Sequence, residues 1–314
     1  MKVDYLSYLL GERNEKESQV IAMGFFDGVH LGHQKVINKA KKIAMQKKLP
    51  LAVLTYDHHP SLVYKKLDGN AKRYLTPLDR KLQLFNQLGV DNVYVVNYNF
   101  AFQNQQPQEF VDNYLVGLKA NTVVAGFDHT YGKKDAGMTE LPEYANGRFD
   151  VISVGADELD DQKVSSTRIR RNLDQGHIQT VNRLLGYEFE NDGVVVHGLA
   201  RGRELGFPTA NIEYSDKQRL PKLGVYVVEI KVNDIWYKAM ASIGKNATFG
   251  DNNPVTLEIN ILDFDQNIYG NRVKVRWLSK MRDEVKYQSP KPLIDQLKTD
   301  ENNTRLYFKE RKNQ

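Results

Sequence analysis

The sequence predicts an α/β domain with a parallel sheet, followed by an antiparallel β domain. In the first half, short β-rich runs alternate with helical patterns, which is typical of a parallel sheet with helices on its faces. In the second half, strand patterns follow one another with polar turns between them, which favours a barrel or a sandwich. The 314 residues suffice for two domains, each with its own core.

Five strands and three helices are predicted in the first half. The strands are expected at residues 20–23, 51–55, 93–96, 122–125 and 151–154, and the helices at residues 33–46, 77–88 and 107–118. Ligands of such sheets collect beyond the carboxyl ends of the strands. The loops at that edge are therefore the first candidates for a site.

The second half contains five predicted strands and one long helix. The strands are expected at residues 194–197, 226–232, 236–241, 255–262 and 273–277, and the helix at residues 291–311. A short helical pattern at residues 178–185 ends at Gly186, where we place the domain boundary. The expected domains are thus residues 1–185 and 186–314.

The composition is that of a soluble globular chain, with 41% hydrophobic and 26% charged residues and no apolar run of membrane-spanning length. The absence of cysteine excludes disulfides, thiolate catalysis and cysteine metal sites. The first residues lack the apolar core of a signal peptide, so we expect a cytoplasmic protein. The net charge of +5 could suit nucleic acid, but the lysines are scattered, and small anionic substrates such as nucleotides would suit the same bias.

A glycine-rich turn joins the first predicted strand to the first predicted helix, in the string Gly24-Phe25-Phe26-Asp27-Gly28-Val29-His30-Leu31-Gly32-His33. Two histidines three residues apart at the first helical turn lie on one face, beside N–H groups that favour an anion. The glycines allow the main chain to approach a ligand closely. The string therefore predicts a phosphate site, although its spacing is that of neither the GxxxxGK[ST] loop nor GxGxxG.

Other polar side chains are expected at the same edge of the sheet. The loops after the second and fourth strands contain His59, Asp128 and Tyr131. A lone histidine or aspartate in a loop is more often a turn-former, but beside the glycine-rich loop these residues become candidates. The string Ser165-Ser166-Thr167-Arg168-Ile169-Arg170 is either a helix cap with surface arginines or a second phosphate site built from hydroxyls and guanidinium groups.

Glycines and arginines crowd the stretch between residues 198 and 211 of the second half. Gly202, Arg203 and Gly206 could wrap phosphates with backbone amides. Thr209 and Asn211 offer hard oxygens of the kind that Mg²⁺ accepts alongside phosphate oxygens. A purely structural loop is the alternative interpretation.

A carboxylate lies within the predicted strand at residues 255–262. Alternation places Leu257 and Ile259 on one face of the sheet and Glu258 and Asn260 on the other. Glu258 could simply face water. If its face lines a pocket, Glu258 is a carboxylate on a rigid element, as a general base for a hydroxyl requires.

Together and in this order, these strings resemble the prokaryotic bifunctional riboflavin kinase and FAD synthetase family, from about residue 15 to about residue 310. The resemblance implies a Rossmann-like nucleotidylyltransferase domain that joins AMP from ATP to FMN. It also implies a six-stranded flavokinase barrel that converts riboflavin to FMN. The expected ligands are riboflavin, ATP with Mg²⁺, FMN and FAD. We expect a monomer or weak homo-oligomer without nucleic-acid or membrane partners.

In the first domain, the resemblance implies that His30, His33 and Arg170 act on the phosphates of ATP. It implies further ATP contacts at Gly24, Phe25, Asp27, Gly32, Ser165, Ser166, Thr167 and Arg168. The flavin is expected to contact His59, Asp128 and Tyr131. His129 and Tyr131 stand where the family usually has phenylalanines.

In the second domain, residues 206–211 match the family's signature without change. The resemblance implies that Thr209 and Asn211 hold the Mg²⁺ of ATP and that Glu258 is the catalytic base. It also implies ATP contacts at Gly202, Arg203, Gly206 and Pro208. Two departures are Asn260, where a histidine is common, and Ala247, where proline is usual. The rival hypotheses are a single-activity enzyme, whose second half only binds a ligand, and a nucleic-acid-binding regulator.

Overall fold

The computed structural model describes residues 1–7, 17–67, 69–133, 136–198, 201–245 and 255–311. The chain folds into two compact units, Met1–Ser166 and Thr167–Gln314. The departure noted at Ala247 lies outside the described residues. Within the ranges given above, no helix is both long enough and apolar enough to cross a membrane.

The first unit contains a six-stranded parallel sheet and two short hairpins. Its strands are β1 (Lys2–Leu6), β2 (Gln19–Met23), β3 (Leu51–Tyr56), β4 (Asn92–Val96), β5 (Ala120–Gly126), β6 (Thr130–Tyr131), β7 (Ala136–Gly137), β8 (Asp150–Val154), β9 (Glu158–Leu159) and β10 (Gln162–Lys163). The sheet order is β1-β4-β3-β2-β5-β8, and every neighbouring pair is parallel. From β2 the chain proceeds through β3 to β4 on one side, and then returns to β5 and β8 on the other. The order therefore reverses between β2 and β5, where open α/β sheets bind ligands.

The helices of the first unit follow the strands and cover the sheet. They are α1 (Leu31–Lys47), α2 (Leu78–Gln87), α3 (Phe100–Gln103), α4 (Pro107–Phe110) and α5 (Leu141–Ala145). Short 3₁₀ turns occur at Pro60–Val63 and Gly69–Lys72, and a π-helical segment, Val111–Val116, continues α4. The predicted helix at residues 107–118 is thus divided into an α part and a π part.

Helix α1 shows why these sequences become helices. Its buried residues recur at helical spacing, at Val36, Ile37, Ala40, Ile43 and Ala44, and therefore form one apolar stripe against the sheet. The helix ends at Lys47, and the C-cap residue Lys48 has a left-handed φ of 55°. The central strand β2 is buried along its whole length, as a parallel strand covered on both faces must be.

The second unit is a closed antiparallel barrel with helices around it. It begins with α6 (Ser166–Gln175), which shares its first residue with the first unit, and α7 (Ile178–Leu185). The remaining elements are β11 (Glu190–Val196), α8 (Arg201–Glu204), β12 (Ala210–Tyr214), β13 (Gly224–Val232), β14 (Ile235–Gly244), β15 (Thr256–Ile261), β16 (Arg272–Arg282) and α9 (Pro290–Arg311). The six strands close in the order β11-β12-β15-β14-β13-β16. The structure thereby selects the barrel over the sandwich.

Alternation along β16 shows how the barrel core is built. Val273, Val275 and Trp277 are buried, whereas the intervening Lys274 and Arg276 are only partly buried. The indole N–H of Trp277 donates to Asn191 Oδ1 at 2.8 Å, which satisfies the polar atom of the largest core side chain. Helix α9 packs on this unit through an apolar cluster of Val227, Leu278 and Phe308.

Candidate active sites

The loop between β2 and α1 has an unusual backbone. Phe26, Gly28 and Val29 have positive φ angles of 56°, 91° and 36°. Residues other than glycine rarely adopt such angles, so the two apolar residues must be held there by their surroundings. Both side chains are buried, and the ring of Phe26 packs edge-on against Phe85, 5.8 Å away between centroids. The loop is thus fixed by the core beneath it, directly beside the point where the strand order reverses.

Buried polar contacts hold the same loop to the segment that precedes α2. The Asp27 carboxylate accepts hydrogen bonds from the backbone N–H groups of Leu75, at 3.2 Å, and Thr76, at 3.0 Å. The N–H of Gly28 donates to Thr76 Oγ1 at 2.7 Å, and Ser166 Oγ donates to the carbonyl oxygen of Asp27 at 2.8 Å. These contacts give Asp27 a role in fixing the loop, and its contact with ATP stays a prediction.

The structure brings His30 and His33 together at the start of α1. Their rings stack with centroids 3.6 Å apart, and the N–H of His33 donates to Nδ1 of His30 at 3.3 Å. Because Nδ1 accepts this bond, a neutral His30 carries its proton on Nε2. The pair lies at the N-terminus of a 17-residue helix, where the dipole and the first-turn N–H groups favour an anion.

Phe25 and His59 also lie together at the carboxyl ends of β2 and β3. Their ring centroids are 5.1 Å apart in an edge arrangement. His59 caps the 3₁₀ turn that follows β3, because its Nδ1 accepts from the N–H of Ser61 at 3.1 Å. The neighbouring His58 pairs with Asp57, with 2.7 Å between Nδ1 and Oδ1.

Sequence reasoning missed Lys81, a buried lysine on α2 beneath this site. Its Nζ donates to the carbonyl oxygen of Phe25 at 2.8 Å and lies 4.2 Å from the centroid of the Phe25 ring. In the sequence, Lys81 falls among polar residues of an amphipathic helix, where a lysine is usually exposed. Only the fold shows that it points inward.

The predicted flavin-side loop after β5 divides into exposed and buried residues. Asp128 is exposed and pairs with Lys163, with 2.5 Å between Oδ2 and Nζ. Phe127, which is half exposed, contacts the same lysine, 4.8 Å from its ring centroid. Tyr131 is buried and stacks on Phe110, and burial raises the pKa of its phenol. Its hydroxyl has no hydrogen-bond partner among the described residues.

His129 lies in the same loop and titrates far from the usual range. Burial lowers its pKa to about 4, so the ring is neutral near pH 7. The serine-rich string contacts the glycine-rich loop through Ser166, whose Oγ donates to the Asp27 carbonyl. Ser165 and Ser166 close the first unit, and Thr167, Arg168 and Arg170 belong to the first turns of α6 in the second unit.

In the second unit, glycines make room for the two predicted Mg²⁺ ligands. A Cβ atom on Gly202 would lie 2.3 Å from the carbonyl oxygen of Phe207 and 3.1 Å from Thr209 Oγ1. A Cβ atom on Gly198 would lie 2.1 Å from Nδ2 of Asn211. A side chain at position 202 would therefore collide with the Phe207 backbone, and one at position 198 would displace the Asn211 side chain.

Thr209, Asn211 and Glu258 meet where β12 and β15 pair. Thr209 Oγ1 donates to Glu258 Oε2 at 3.3 Å, and Asn211 lies directly opposite Glu258 in the register. A hydroxyl, an amide and a carboxylate thus converge on adjacent strands, and their oxygens are the donor types that Mg²⁺ prefers. In the part of the chain that the structure describes, no group of three or more histidine, aspartate and glutamate side chains could hold a metal by itself.

The two faces of β15 line two different cavities. Glu258 therefore faces a cavity, which is the condition set above for its role as a base. One cavity, of about 370 Å³, is lined by Ile259 and Ile261 and also by Arg203 and Pro208. The other, of about 130 Å³, is lined by Glu258 and Asn260, with side chains from β14, β16 and α9 around them. Thr209 lines both cavities. The cavities therefore approach each other at the residues predicted to bind metal and to act as the base.

The departure at Asn260 has a structural role in this unit. Its side chain is buried, and Nδ2 donates to the carbonyl oxygen of Pro208 at 2.8 Å. Gly206 has a φ of 80°, and the N–H of Phe207 donates to the carbonyl of Gly202 at 2.8 Å. Asn260 and this turn together fix the stretch that leads into β12.

Comparison with known proteins agrees with this division into two units. The family model for FAD synthetase matches residues 12–168, and the family model for riboflavin kinase matches residues 185–308. A bifunctional riboflavin kinase/FMN adenylyltransferase from Listeria monocytogenes is 49% identical over 292 residues, which is 93% of each chain. The protein of the same name from Bacillus subtilis is 40% identical over 299 residues, which is 94% of each chain.

A solved structure shares the fold along nearly the whole chain. It is a crystal structure from Streptococcus pneumoniae, 36% identical, with a TM-score of 0.88, and the match covers 96% of this chain and 98% of that one. That protein is named a macrolide-efflux protein. The two family models and the two curated relatives described above instead name flavin enzymes. The two activities in the relatives' name correspond to the two family models, one in each half of the chain.

Proposed function

The chain belongs to the family of bifunctional riboflavin kinase/FMN adenylyltransferases, and on that premise we propose which of its residues carry each reaction. It phosphorylates riboflavin to FMN with ATP and then joins AMP from a second ATP to FMN, which gives FAD and pyrophosphate. One observation supports the kinase assignment most directly: Thr209 lines both cavities and donates a hydrogen bond to Glu258, which lines the smaller one.

In the kinase reaction, Glu258 takes the proton of the riboflavin 5′-hydroxyl as that oxygen attacks the γ-phosphorus of ATP. The bond from this phosphorus to the bridging β–γ oxygen breaks, and ADP leaves. Because Glu258 lines the smaller cavity, the hydroxyl end of riboflavin is expected there. The larger cavity has a volume within the usual range for small-molecule sites and an arginine, Arg203, in its wall, which suits ATP.

The donor set of the barrel fits Mg²⁺. Thr209 and Asn211 would hold the ion through a hydroxyl and an amide oxygen, and its other ligands would be phosphate oxygens and water. When bound, Mg²⁺ neutralises charge on the transferring phosphoryl group. Gly202, Arg203, Gly206 and Pro208 would shape the turn that surrounds the phosphates.

Adenylylation needs no general base, because the phosphate of FMN is already an anion. A phosphate oxygen attacks the α-phosphorus of ATP, the bond to the α–β bridging oxygen breaks, and pyrophosphate leaves. The protein therefore contributes alignment and neutralisation of charge. His30 and His33 serve that purpose at the N-terminus of α1, where the first-turn N–H groups also face an anion.

The other assignments of the first site rest on the family resemblance and on position. Contacts with ATP are proposed for Gly24, Phe25, Asp27, Gly32, Ser165, Ser166, Thr167, Arg168 and Arg170. Contacts with the flavin are proposed for His59, Asp128 and Tyr131. Since Tyr131 is buried against Phe110, it would support the flavin site from beneath.

Residues 1–185 and 186–314 are proposed as the two functional domains. The enzyme is proposed to work in the cytoplasm as a monomer or weak homo-oligomer, without nucleic acid. The lack of cysteine and the nucleotide substrates support that location.

A time course tests the proposal. Purified protein is incubated with riboflavin, ATP and Mg²⁺, and riboflavin, FMN and FAD are separated by chromatography. FMN is expected first and FAD after it. FMN that never becomes FAD, even when supplied directly, would refute the assignment of the first unit, and riboflavin that remains unchanged would refute that of the barrel.

A further inference from the structure

Lys81 is a buried cation that neither reaction uses directly. It lies on α2 with a side chain only 2% exposed. Its Nζ donates to three neutral oxygens: the Phe25 carbonyl at 2.8 Å, Thr55 Oγ1 at 3.3 Å and the Tyr56 carbonyl at 3.3 Å. An ammonium has three donors, so these contacts satisfy the protonated form completely.

These acceptors lie at the carboxyl ends of two neighbouring strands. Thr55 and Tyr56 end β3, and Phe25 follows β2 by two residues. Thr55 Oγ1 also donates to the Phe25 carbonyl at 3.0 Å. The Phe25 carbonyl therefore receives two hydrogen bonds, and Lys81 ties the start of the phosphate loop to the adjacent strand.

The segment at residues 75–81 holds the loop at three successive points. Lys81 binds the carbonyl of Phe25, the N–H groups of Leu75 and Thr76 bind the carboxylate of Asp27, and Thr76 Oγ1 binds the N–H of Gly28. The positive φ angles of Phe26 and Gly28 lie within the span that these contacts fix, and that of Val29 follows directly. A strained loop keeps its conformation only where its surroundings over-determine it.

Stability alone is a poor reason to keep a lysine here. Burial of a cation costs free energy, and apolar replacements of buried charges are often neutral or stabilising. Burial lowers the pKa of Lys81 to about 8, while the carboxylates of Asp27 and Asp57 act in the opposite direction. The phenol of Tyr56, also in this region, has a pKa raised by burial and stays neutral. Lys81 is thus a group beside the loop whose charge changes just above neutral pH.

We propose that Lys81 is a positioning residue for FMN adenylylation, and that its ammonium sets the conformation of the loop that presents His30 and His33. This inference rests on the proposed role of the first unit. When Lys81 loses its proton, it loses one of its three donors, and the loop loses a contact. Adenylylation should therefore decline as pH rises through about 8, relative to phosphorylation in the barrel.

The test uses the full-length protein and measures both activities on each sample. Lys81→Met removes the donors but keeps an unbranched chain of similar size. Lys81→Arg keeps a cation that does not titrate below about pH 12. The matched control is Lys41→Met, because Lys41 Nζ also donates to a backbone carbonyl, that of Leu88 at 2.9 Å, but at the far end of α2.

Lys81→Met should lower kcat for adenylylation roughly 10- to 100-fold, since misplacement of a site by about 1 Å can cost that much. KM for FMN and kinase turnover should change little, and Lys41→Met should behave as wild type. In wild type the ratio of adenylylation to phosphorylation should fall as pH rises through about 8. In Lys81→Arg that fall should disappear.

Two results would overturn the proposal. One is adenylylation in Lys81→Met that equals that of Lys41→Met. The other is a fall in the ratio of adenylylation to phosphorylation near pH 8 that persists in Lys81→Arg. This second result tests the proposal even if Lys81→Met does not fold. Wild-type protein that fails to adenylylate FMN at every pH would instead refute the proposed function itself, so the two failures are distinguishable.

Discussion

In the first unit the proposed functional groups depend on a loop, whereas in the second they stand on paired strands. His30 and His33 follow a turn with three positive φ angles, held by buried contacts to the segment before α2. Glu258 and Asn211 face each other across a regular strand pair. The first site should therefore be sensitive to changes in backbone and supporting residues, and the second chiefly to the side chains themselves.

The largest expected effect breaks the kinase site and leaves the other site intact. Glu258→Gln keeps the shape and the hydrogen-bonding capacity of the side chain but cannot take a proton. Turnover of riboflavin to FMN should fall by roughly 10²–10⁴, the usual contribution of a general base, while conversion of supplied FMN to FAD stays normal. Both rates are measured by chromatography of the flavins.

The matched control is Glu213→Gln on the neighbouring strand β12, because its side chain is exposed and lines neither cavity described above. It should leave both activities unchanged. Near-normal kinase turnover in Glu258→Gln would contradict the role of this residue as the base.

The next effect is the converse, a loss in the first unit alone. His30→Ala removes the cap of α1 and one of the two stacked rings. Adenylylation should fall roughly 10²- to 10³-fold, as when one donor to a developing charge is removed, and His33→Ala should act similarly. Kinase turnover measured on the same sample should not change.

His177→Ala provides a control for this loss. His177 is also the N-cap residue of a helix, α7, but its side chain makes no cap hydrogen bond. Equal losses of both activities in His30→Ala would point to misfolding and against a role at the phosphates.

The strands that carry both sites could be predicted from the sequence where apolar periodicity was strong. All ten predicted strands were found, within a few residues of their predicted ends. Among the described residues, six other strands were missed: the two-residue strands β6, β7, β9 and β10, the edge strand β1 with exposed Tyr5, and β12, whose Asn211 and Glu213 lack the apolar pattern. A strand that contains polar residues resembles a loop in the sequence, and only its pairing with a neighbouring strand identifies it.

The candidate motifs could be recognised in the sequence, but the contacts that support them could not. The strings around His30 and Thr209 are contiguous and therefore visible in the sequence, and their roles stay predictions. The contact between Lys81 and Phe25 joins residues 56 positions apart, and the burial of Lys81 depends on how α2 packs. Contacts between residues so far apart in the chain leave no local signal in the sequence.

A backbone substitution should sharpen this contrast. Gly28 has a φ of 91°, so Gly28→Ala should lower the free energy of unfolding by about 1–2 kcal/mol and reduce adenylylation roughly tenfold. Gly147→Ala is the control, since Gly147 has a φ of 69° in the same unit and nothing lies within 4 Å of its added Cβ. It should cost similar stability in urea unfolding but leave adenylylation unchanged. Equal activity in the two variants would mean that the loop geometry does not limit the reaction.

The smallest expected effect concerns Asp128, an exposed residue of the flavin-side loop. Its ion pair with Lys163 lies at the surface, so breaking the pair should change the free energy of unfolding by no more than about 1 kcal/mol. Asp128→Asn and Lys163→Gln break the same pair, but only the first removes the proposed flavin contact. If Asp128 contacts FMN, Asp128→Asn should raise KM for FMN by a few-fold, about 1 kcal/mol of binding, while Lys163→Gln leaves it unchanged. A rise of the same size in both variants would show that the ion pair orders the loop and that Asp128 makes no contact with FMN. The flavin side of this unit would then also depend on supporting contacts.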